Sequence, residues 1–320
     1  MHASGELAVR ARQARARLRR CVLCPRECRV DRLAGELGEC RTAACARVSG
    51  FGPHFGEEGP LVGRGGSGTI FFTGCNLACI YCQNHDISRP AGDPPAGVAA
   101  VSPGRTLRWE VPPEHLAGMM LELQVSGCEN INLVSPSHVV PQILAALVLA
   151  VEAGLRLPLV YNTGGYDSVA TLSLLDGVVD IYMPDMKYAD RLVGERLSRV
   201  PDYPARNREA VLEMHRQVGD LVLEEGAPAP GETEPAAAGI ARRGLLVRHL
   251  VLPGDLAGTA EVAHFLAAEI STETYINVMD QYHPAHEAAR YPDIARRPTP
   301  VEYRVAVQEM LTAGLRRLDG

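Results

Sequence analysis

Three cysteines with the spacing C-x3-C-x2-C, Cys75, Cys79 and Cys82, follow directly on the run Thr69-Ile70-Phe71-Phe72-Thr73. That run is rich in β-branched and aromatic residues and has no polar alternation, which predicts a strand buried on both faces. The motif therefore sits at the C-terminal end of a buried strand. Three thiolates are one fewer than a 4Fe–4S cluster ordinarily takes, so such a cluster keeps one iron open. Catalytic zinc sites keep a vacant position in the same way. The competing reading is a structural zinc loop, which needs a fourth ligand nearby. His85 could supply it.

Beyond the motif, strand and helix signals alternate. Apolar strands are expected at 130–134, 157–161, 178–183, 245–251 and 274–278, and helices at 114–125, 140–153, 167–175, 206–218, 259–269 and 300–314. Pro112 and Pro113 open the first helix, Asp167 is expected to cap the third, and Gly154 and Gly177 lie just past helix ends. Six strands with crossover helices are too few for a closed eight-stranded barrel. The expected fold class is α/β, an open, partial (β/α)6 TIM-like barrel with its active site at the C-terminal strand ends. A Cys-rich N-terminal extension over 1–62 precedes a core at 63–290, and 291–320 forms a C-terminal helical segment. Segments 89–105 and 227–238 are rich in Pro, Gly and Ala without periodicity and read as surface insertions. The Gly-rich stretch from Gly63 to Gly68 precedes a strand, whereas a phosphate cradle follows one, so it reads as a turn.

Composition narrows the function. A net charge of −6 argues against a nucleic-acid-coating surface. The longest apolar run, from Ile143 to Val151, is too short to span a bilayer. Six arginines between Arg10 and Arg20 read as a solvated amphipathic helix, with a transit peptide as the alternative, and there is no hydrophobic stretch for a secretory signal. Nine cysteines without that signal point to a reducing compartment, the cytoplasm, where thiols serve as metal ligands. Cys21, Cys24, Cys28 and Cys40 form a second group. It could hold a second iron–sulfur cluster or a zinc ion, or it could be metal-free. Of the 32 basic residues, only Lys187 is a lysine. Either a compact ammonium is needed there or the residue is retained by chance.

Segment 71–88 resembles the signature of the radical S-adenosylmethionine (SAM) superfamily. Matches along 68–284 look like the pyruvate formate-lyase activating enzyme group: Asn162-Thr163-Gly164-Gly165-Tyr166, Tyr182-Met183-Pro184-Asp185-Met186-Lys187, Val247 to Gly254, and Tyr282-His283. Cys24-Pro25-Arg26-Glu27-Cys28 and 130–142 are similar to its PflX-type branch. The resemblance implies a 4Fe–4S cluster on Cys75, Cys79 and Cys82 and SAM as cofactor. It also implies that Tyr81 lies near the adenine and that Asn162, Thr163 and Asp185 surround the SAM carboxylate; Lys187 is the catalytic candidate on its solitary status among the basic residues. Arg248 could pair with the SAM carboxylate or a ribose hydroxyl. Where the family carries Gly-Gly-Glu to orient the SAM amino group, this chain has Ser135-Pro136-Ser137-His138. Ser135, Ser137 and His138 are thus candidate contacts, although His138 could instead be a solvent-facing residue at a helix start.

The function implied is reductive cleavage of SAM to a 5′-deoxyadenosyl radical, with an external one-electron reductant of the flavodoxin or ferredoxin type. The radical would activate a glycyl radical protein. Radical modification of a small molecule or peptide is the second reading, and a non-catalytic iron–sulfur protein the third.

Overall fold

All six expected strands pair in one sheet. The computed structural model describes residues 4–91, 109–224 and 239–319. Its strands are β1 Ala46–His54, β2 Ser67–Phe72, β3 Glu110–Val111, β4 Ile131–Val134, β5 Leu159–Thr163, β6 Ile181–Pro184, β7 Val222–Glu224, β8 Ile240–Leu250, β9 Tyr275–Met279 and β10 Arg317–Asp319. Their order is β10-β9-β8-β6-β5-β4-β2-β1-β3, with β7 beside β8. From β2 to β10 every neighbour along this path is parallel. β1 runs antiparallel to β2, and β3 antiparallel to β1. The parallel strands follow chain order, so their C-terminal ends all lie on one side.

The helices are α1 Glu6–Ala16, α2 Gly59–Val62, α3 His85–Ser88, α4 Pro113–Val125, α5 Val140–Glu152, α6 Val169–Leu172, α7 Arg191–Ser198, α8 Tyr203–Val218, α9 Thr259–Phe265 and α10 Pro300–Thr312. Alternate strand residues face opposite sides of the sheet. On one side Leu133, Tyr161, Tyr182 and Val247 join the main core with helix residues such as Met120, Leu147, Met214 and Met310. On the other, Val160, Ile181, Met183 and Leu246 close around Leu61 of α2. Buried polar groups on that inner side satisfy one another: Ser67 Oγ donates to Asn130 Oδ1 at 2.8 Å, and Asn130 Nδ2 donates to the Leu61 carbonyl at 2.8 Å. The Gly-rich approach to β2 is a tight turn, as expected. A Cβ at Gly65 would lie 1.7 Å from the Gly127 carbonyl oxygen.

Several features were not expected. The N-terminal extension is woven into the core, since β1 pairs with β2 and Leu7, Ala14 and Ala46 are buried in the main cluster. The C-terminal segment adds β10 alongside β9. The helix expected at 259–269 ends at Phe265 and widens into a π turn over Leu266–Ile270. Asp167 caps nothing. Its carboxylate is buried and accepts from Tyr161 Oη at 2.9 Å and Thr163 Oγ1 at 2.6 Å, leaving Ser168 at the cap position of α6. Two hydroxyl donors outweigh the single backbone contact a cap would have made. Apart from residues 89–91, the first insertion lies outside the described residues, as does all of the second. Among the described residues no helix is long and apolar enough to cross a membrane.

Candidate active site

The C-terminal strand ends surround a cavity of about 710 Å³, with Phe72 from β2, Val134 from β4, Asn162 from β5, Arg248 from β8 and Asn277 from β9 in its wall. That volume lies within the range of small-molecule pockets, and its location follows the rule for parallel sheets.

Cys75, Cys79 and Cys82 line this cavity from the loop after β2. Gly74 starts the loop with φ +90, and a Cβ there would lie 2.4 Å from the Cys40 carbonyl oxygen. Each sulfur has a hydrogen-bonding neighbour. The Leu77 N–H donates to Cys75 Sγ at 3.4 Å, Ser198 Oγ lies 2.9 Å from Cys79 Sγ, and Ser88 Oγ lies 3.4 Å from Cys82 Sγ. Burial, then repulsion from Cys79, pushes the Cys75 thiol up to about 12. Burial also raises Cys79, and the Lys187 ammonium partly offsets this. Thiols with raised pKa values bind metal by giving up protons they would otherwise hold at neutral pH.

Among the described residues no three His, Cys, Asp or Glu side chains converge tightly enough to hold one metal ion. His85 is stacked on His286, with ring centroids 4.9 Å apart.

Opposite the cysteines stands a charged network. Lys187 Nζ lies 2.6 Å from Asp185 Oδ2. Arg248 Nη2 reaches Asp185 Oδ1 at 2.8 Å and Asn162 Oδ1 at 2.8 Å, so it ties together the ends of β5, β6 and β8. Burial disfavours the Asp185 carboxylate, but Arg248 and Lys187 outweigh it and hold its pKa below the ordinary value. Burial likewise works against the Lys187 ammonium, while Asp185 and Cys79 more than compensate and raise its pKa. Lys187 and Cys79 line the same cavity, and the ammonium is the main charge that offsets burial at that sulfur.

Tyr81 lines the cavity but is largely buried. Its ring packs edge-on against Tyr188 and Tyr282, and its hydroxyl meets Tyr188 Oη at 2.5 Å. Tyr188 Oη continues to Ser198 Oγ at 2.8 Å. A chain of hydroxyls therefore runs from Tyr81 to the sulfur of Cys79.

Of the stretch from Ser135 to His138, only Ser135 reaches the cavity wall. It has φ +59, a conformation costly for a residue with a Cβ, and its N–H donates to the Asn162 carbonyl at 2.8 Å. Ser137 is buried behind the wall, 3.0 Å from Thr163 Oγ1. His138 is 2% exposed, which overturns the solvent-facing reading. Its Nε2 pairs with the Thr73 carbonyl at 3.1 Å, and burial lowers its pKa to about 3. Thr163 stays on the cavity wall and also donates to Asp167.

Glu57, Glu58, Asn277 and Ser198 escaped the sequence reading. Glu58 is 6% exposed, accepts from Asn277 Nδ2 at 3.1 Å and lies 3.8 Å from Arg248 Nη1. Its Oε2 is buried with no hydrogen-bond partner. No motif marks these positions. Glu57 and Glu58 reach the cavity from the β1–β2 connection and Asn277 from β9, while Ser198, at the end of α7, meets the site only through Cys79.

Cys21, Cys24, Cys28 and Cys40 line a separate small cavity behind the Cys75 loop, which His138 also borders.

No family model matches the chain. The uncharacterized protein MJ0674 of Methanocaldococcus jannaschii is 31% identical over 289 residues, which is 90% of this chain and 73% of that protein. Among solved structures, a radical SAM methyltransferase from Sphaerobacter thermophilus aligns with TM-score 0.46 and 13% identity, over 77% of this chain and 64% of its own. HydG, a maturase of the FeFe-hydrogenase, aligns with TM-score 0.46 and 13% identity, over 75% and 47%. The chain spans less than two thirds of the length of either structure. Likeness at this level carries no chemistry over to the chain.

Proposed function

The chain belongs to the same protein family as the uncharacterized protein MJ0674 of Methanocaldococcus jannaschii, and we propose that it is a radical SAM enzyme. One observation carries this reading: three cysteines, each with a hydrogen-bonding neighbour at sulfur, line the same cavity as Asp185, Lys187 and Arg248 at the C-terminal strand ends. The donor set fits a 4Fe–4S cluster with one open iron, because three thiols, Cys75, Cys79 and Cys82, line that wall where four would be needed to ligate every iron. When bound, such a cluster supplies one electron, drawn from an external flavodoxin- or ferredoxin-type reductant, for reductive cleavage of SAM to a 5′-deoxyadenosyl radical.

The protein's own groups bind and orient. Arg248 and Asn162 present a donor and an amide to a carboxylate or a ribose, and Asp185 offers a buried anion to an ammonium. Ser135, held in its strained conformation, keeps a hydroxyl at the end of β4. Lys187 keeps a positive charge beside Cys79 and counters the charge that accumulates on the sulfurs. Leu77, Ile80 and Tyr81 are buried along the cysteine loop and limit water there.

We take the hydrogen donor to be a glycine of a partner protein, on the likeness of 162–166 and 182–187 to activating enzymes. The size of the cavity favours a second reading, a small-molecule substrate bound next to SAM. In the first test, Cys75, Cys79 and Cys82 are changed together to Ala, and 5′-deoxyadenosine is measured with dithionite and SAM. The reading expects none, and retained cleavage overturns it, as does a wild-type protein that binds iron without releasing 5′-deoxyadenosine. A glycyl-radical EPR signal on a co-purified partner separates the protein substrate from the small one.

A further inference from the structure

Cys21, Cys24, Cys28 and Cys40 come from two turns and face one cavity. The first turn is closed by Cys21 N–H to the Val30 carbonyl at 3.0 Å and Arg29 N–H to the Cys21 carbonyl at 2.9 Å. The second is set by Gly38, where a Cβ would lie 2.9 Å from Cys28 Sγ. The thiols are all free. Glu27, Arg29 and Arg41, each next to one of these cysteines, hold positive φ angles of 41, 59 and 53. Such conformations persist where the surroundings over-determine them.

Cationic and N–H groups border the cavity, while burial raises the Cys24 and Cys28 thiols. Arg32 is fully buried and its Nη1 lies 3.9 Å from Cys21 Sγ, while Glu39 N–H points at Cys28 Sγ from 3.5 Å. Arg26 borders the cavity with its guanidinium anchored on two sides, Nε to the Asn76 carbonyl at 2.9 Å and Nη1 to the Arg199 carbonyl at 3.0 Å. The remaining nitrogen, Nη2, is buried without a hydrogen-bond partner. A buried guanidinium nitrogen with no acceptor is costly, and thiolate sulfurs around a metal centre supply one.

We propose that Cys21, Cys24, Cys28 and Cys40 hold a second 4Fe–4S cluster, directly behind the loop that carries Cys75. Zinc, which takes four thiolates at about 2.3 Å, is the competing occupant, and the metal assay below separates the two. Thiolates on a cubane bind four different irons. With all four irons ligated, this centre has no open position and adds no second SAM site. Asn76 connects the two regions: it follows Cys75 in the chain, borders this cavity, and accepts from Arg26.

The test compares anaerobically reconstituted full-length proteins by iron and sulfide assay and Mössbauer spectroscopy. Wild type is expected to carry about eight irons, and the Cys75/Cys79/Cys82→Ala variant about four in a fully thiolate-ligated cluster. Cys24→Ala/Cys40→Ala in the wild-type background should also drop to about four, now of the type that changes its spectrum when SAM is added. Cys45→Ser, in the same segment but outside the cavity, should keep all of them, which separates ligand loss from misfolding. One equivalent of zinc without iron in the triple variant overturns the proposal. So does a Cys75/Cys79/Cys82→Ala variant that holds no iron at all. Loss of SAM cleavage with this iron still present would instead count against the function proposed above and leave the second cluster standing.

Discussion

Ser198 Oγ sits between two partners, 2.9 Å from Cys79 Sγ and 2.8 Å from Tyr188 Oη. Its backbone carbonyl accepts from Ala78 N–H at 3.3 Å, and the neighbouring Leu197 carbonyl accepts from Ile80 N–H at 2.9 Å. The end of α7 therefore splints the cysteine loop. If Cys79 is a thiolate, the hydroxyl must donate to sulfur, which makes Tyr188 its donor and Tyr81 the donor to Tyr188. Hydrogen bonds to a ligating sulfur stabilise the reduced, more negative cluster. Ser198→Ala is expected to lower the midpoint potential by roughly tens of millivolts, with iron content unchanged. EPR-monitored redox titration reads this, and an unmoved potential would remove Ser198 from the account.

Lys187→Arg tests whether the compact ammonium matters. The side chain is only 15% exposed and is held by Asp185, whose other oxygen already serves Arg248. A second planar guanidinium has to compete for the same carboxylate. We expect 5′-deoxyadenosine production to fall by roughly tenfold with full iron loading. Rates within about twofold of wild type would make Lys187 a residue retained by chance.

Arg248→Met should cost stability as well as activity. The change strips Asp185, Asn162 and Glu58 of a shared cation, leaving buried Glu58 without one and Asp185 with Lys187 alone. Removing one partner of a buried pair typically costs about 3–5 kcal/mol. Denaturant unfolding of the anaerobic holoprotein checks this, and a loss under about 1 kcal/mol would show that the network contributes little to folding.

His138 predicts an acid-labile fold. Its pKa falls from the ordinary 6.5 to about 3 through burial, so the unfolded chain binds a proton there that the folded one refuses. The stability it confers is complete above pH 6.5 and is lost as the pH drops towards 3, at about 1.4 kcal/mol per pH unit. His138→Gln should flatten the slope of unfolding free energy against pH between about 6 and 4 by close to one proton. An unchanged slope would mean the imidazole titrates normally.

What the chain's own pattern determined is the sheet and the position of the thiols. Apolar runs such as Thr69 to Phe72 and Leu159 to Tyr161 could be strands only with both faces covered, and the cysteine spacing tied a thiol-bearing loop to the first of them. The cap of α10 was equally local: Thr299 and Glu302 form a reciprocal box, with Pro300 opening the helix.

The rest was decided by contacts between residues far apart in sequence. Asp167 obeys the local rule for a cap, yet the folded sheet brings Tyr161 and Thr163 hydroxyls to its carboxylate. Glu58 and Ser198 carry no motif, because what brings them to the site is a chain crossing and a helix end docking on a loop. β10 is three residues with no strand pattern, and it exists because β9 offers it an unpaired edge. Periodicity and spacing report which face of an element is apolar and which ligands lie within one loop. Only the tertiary structure decides which buried polar group finds which partner, since each such group goes to the best donor or acceptor that packing brings within reach.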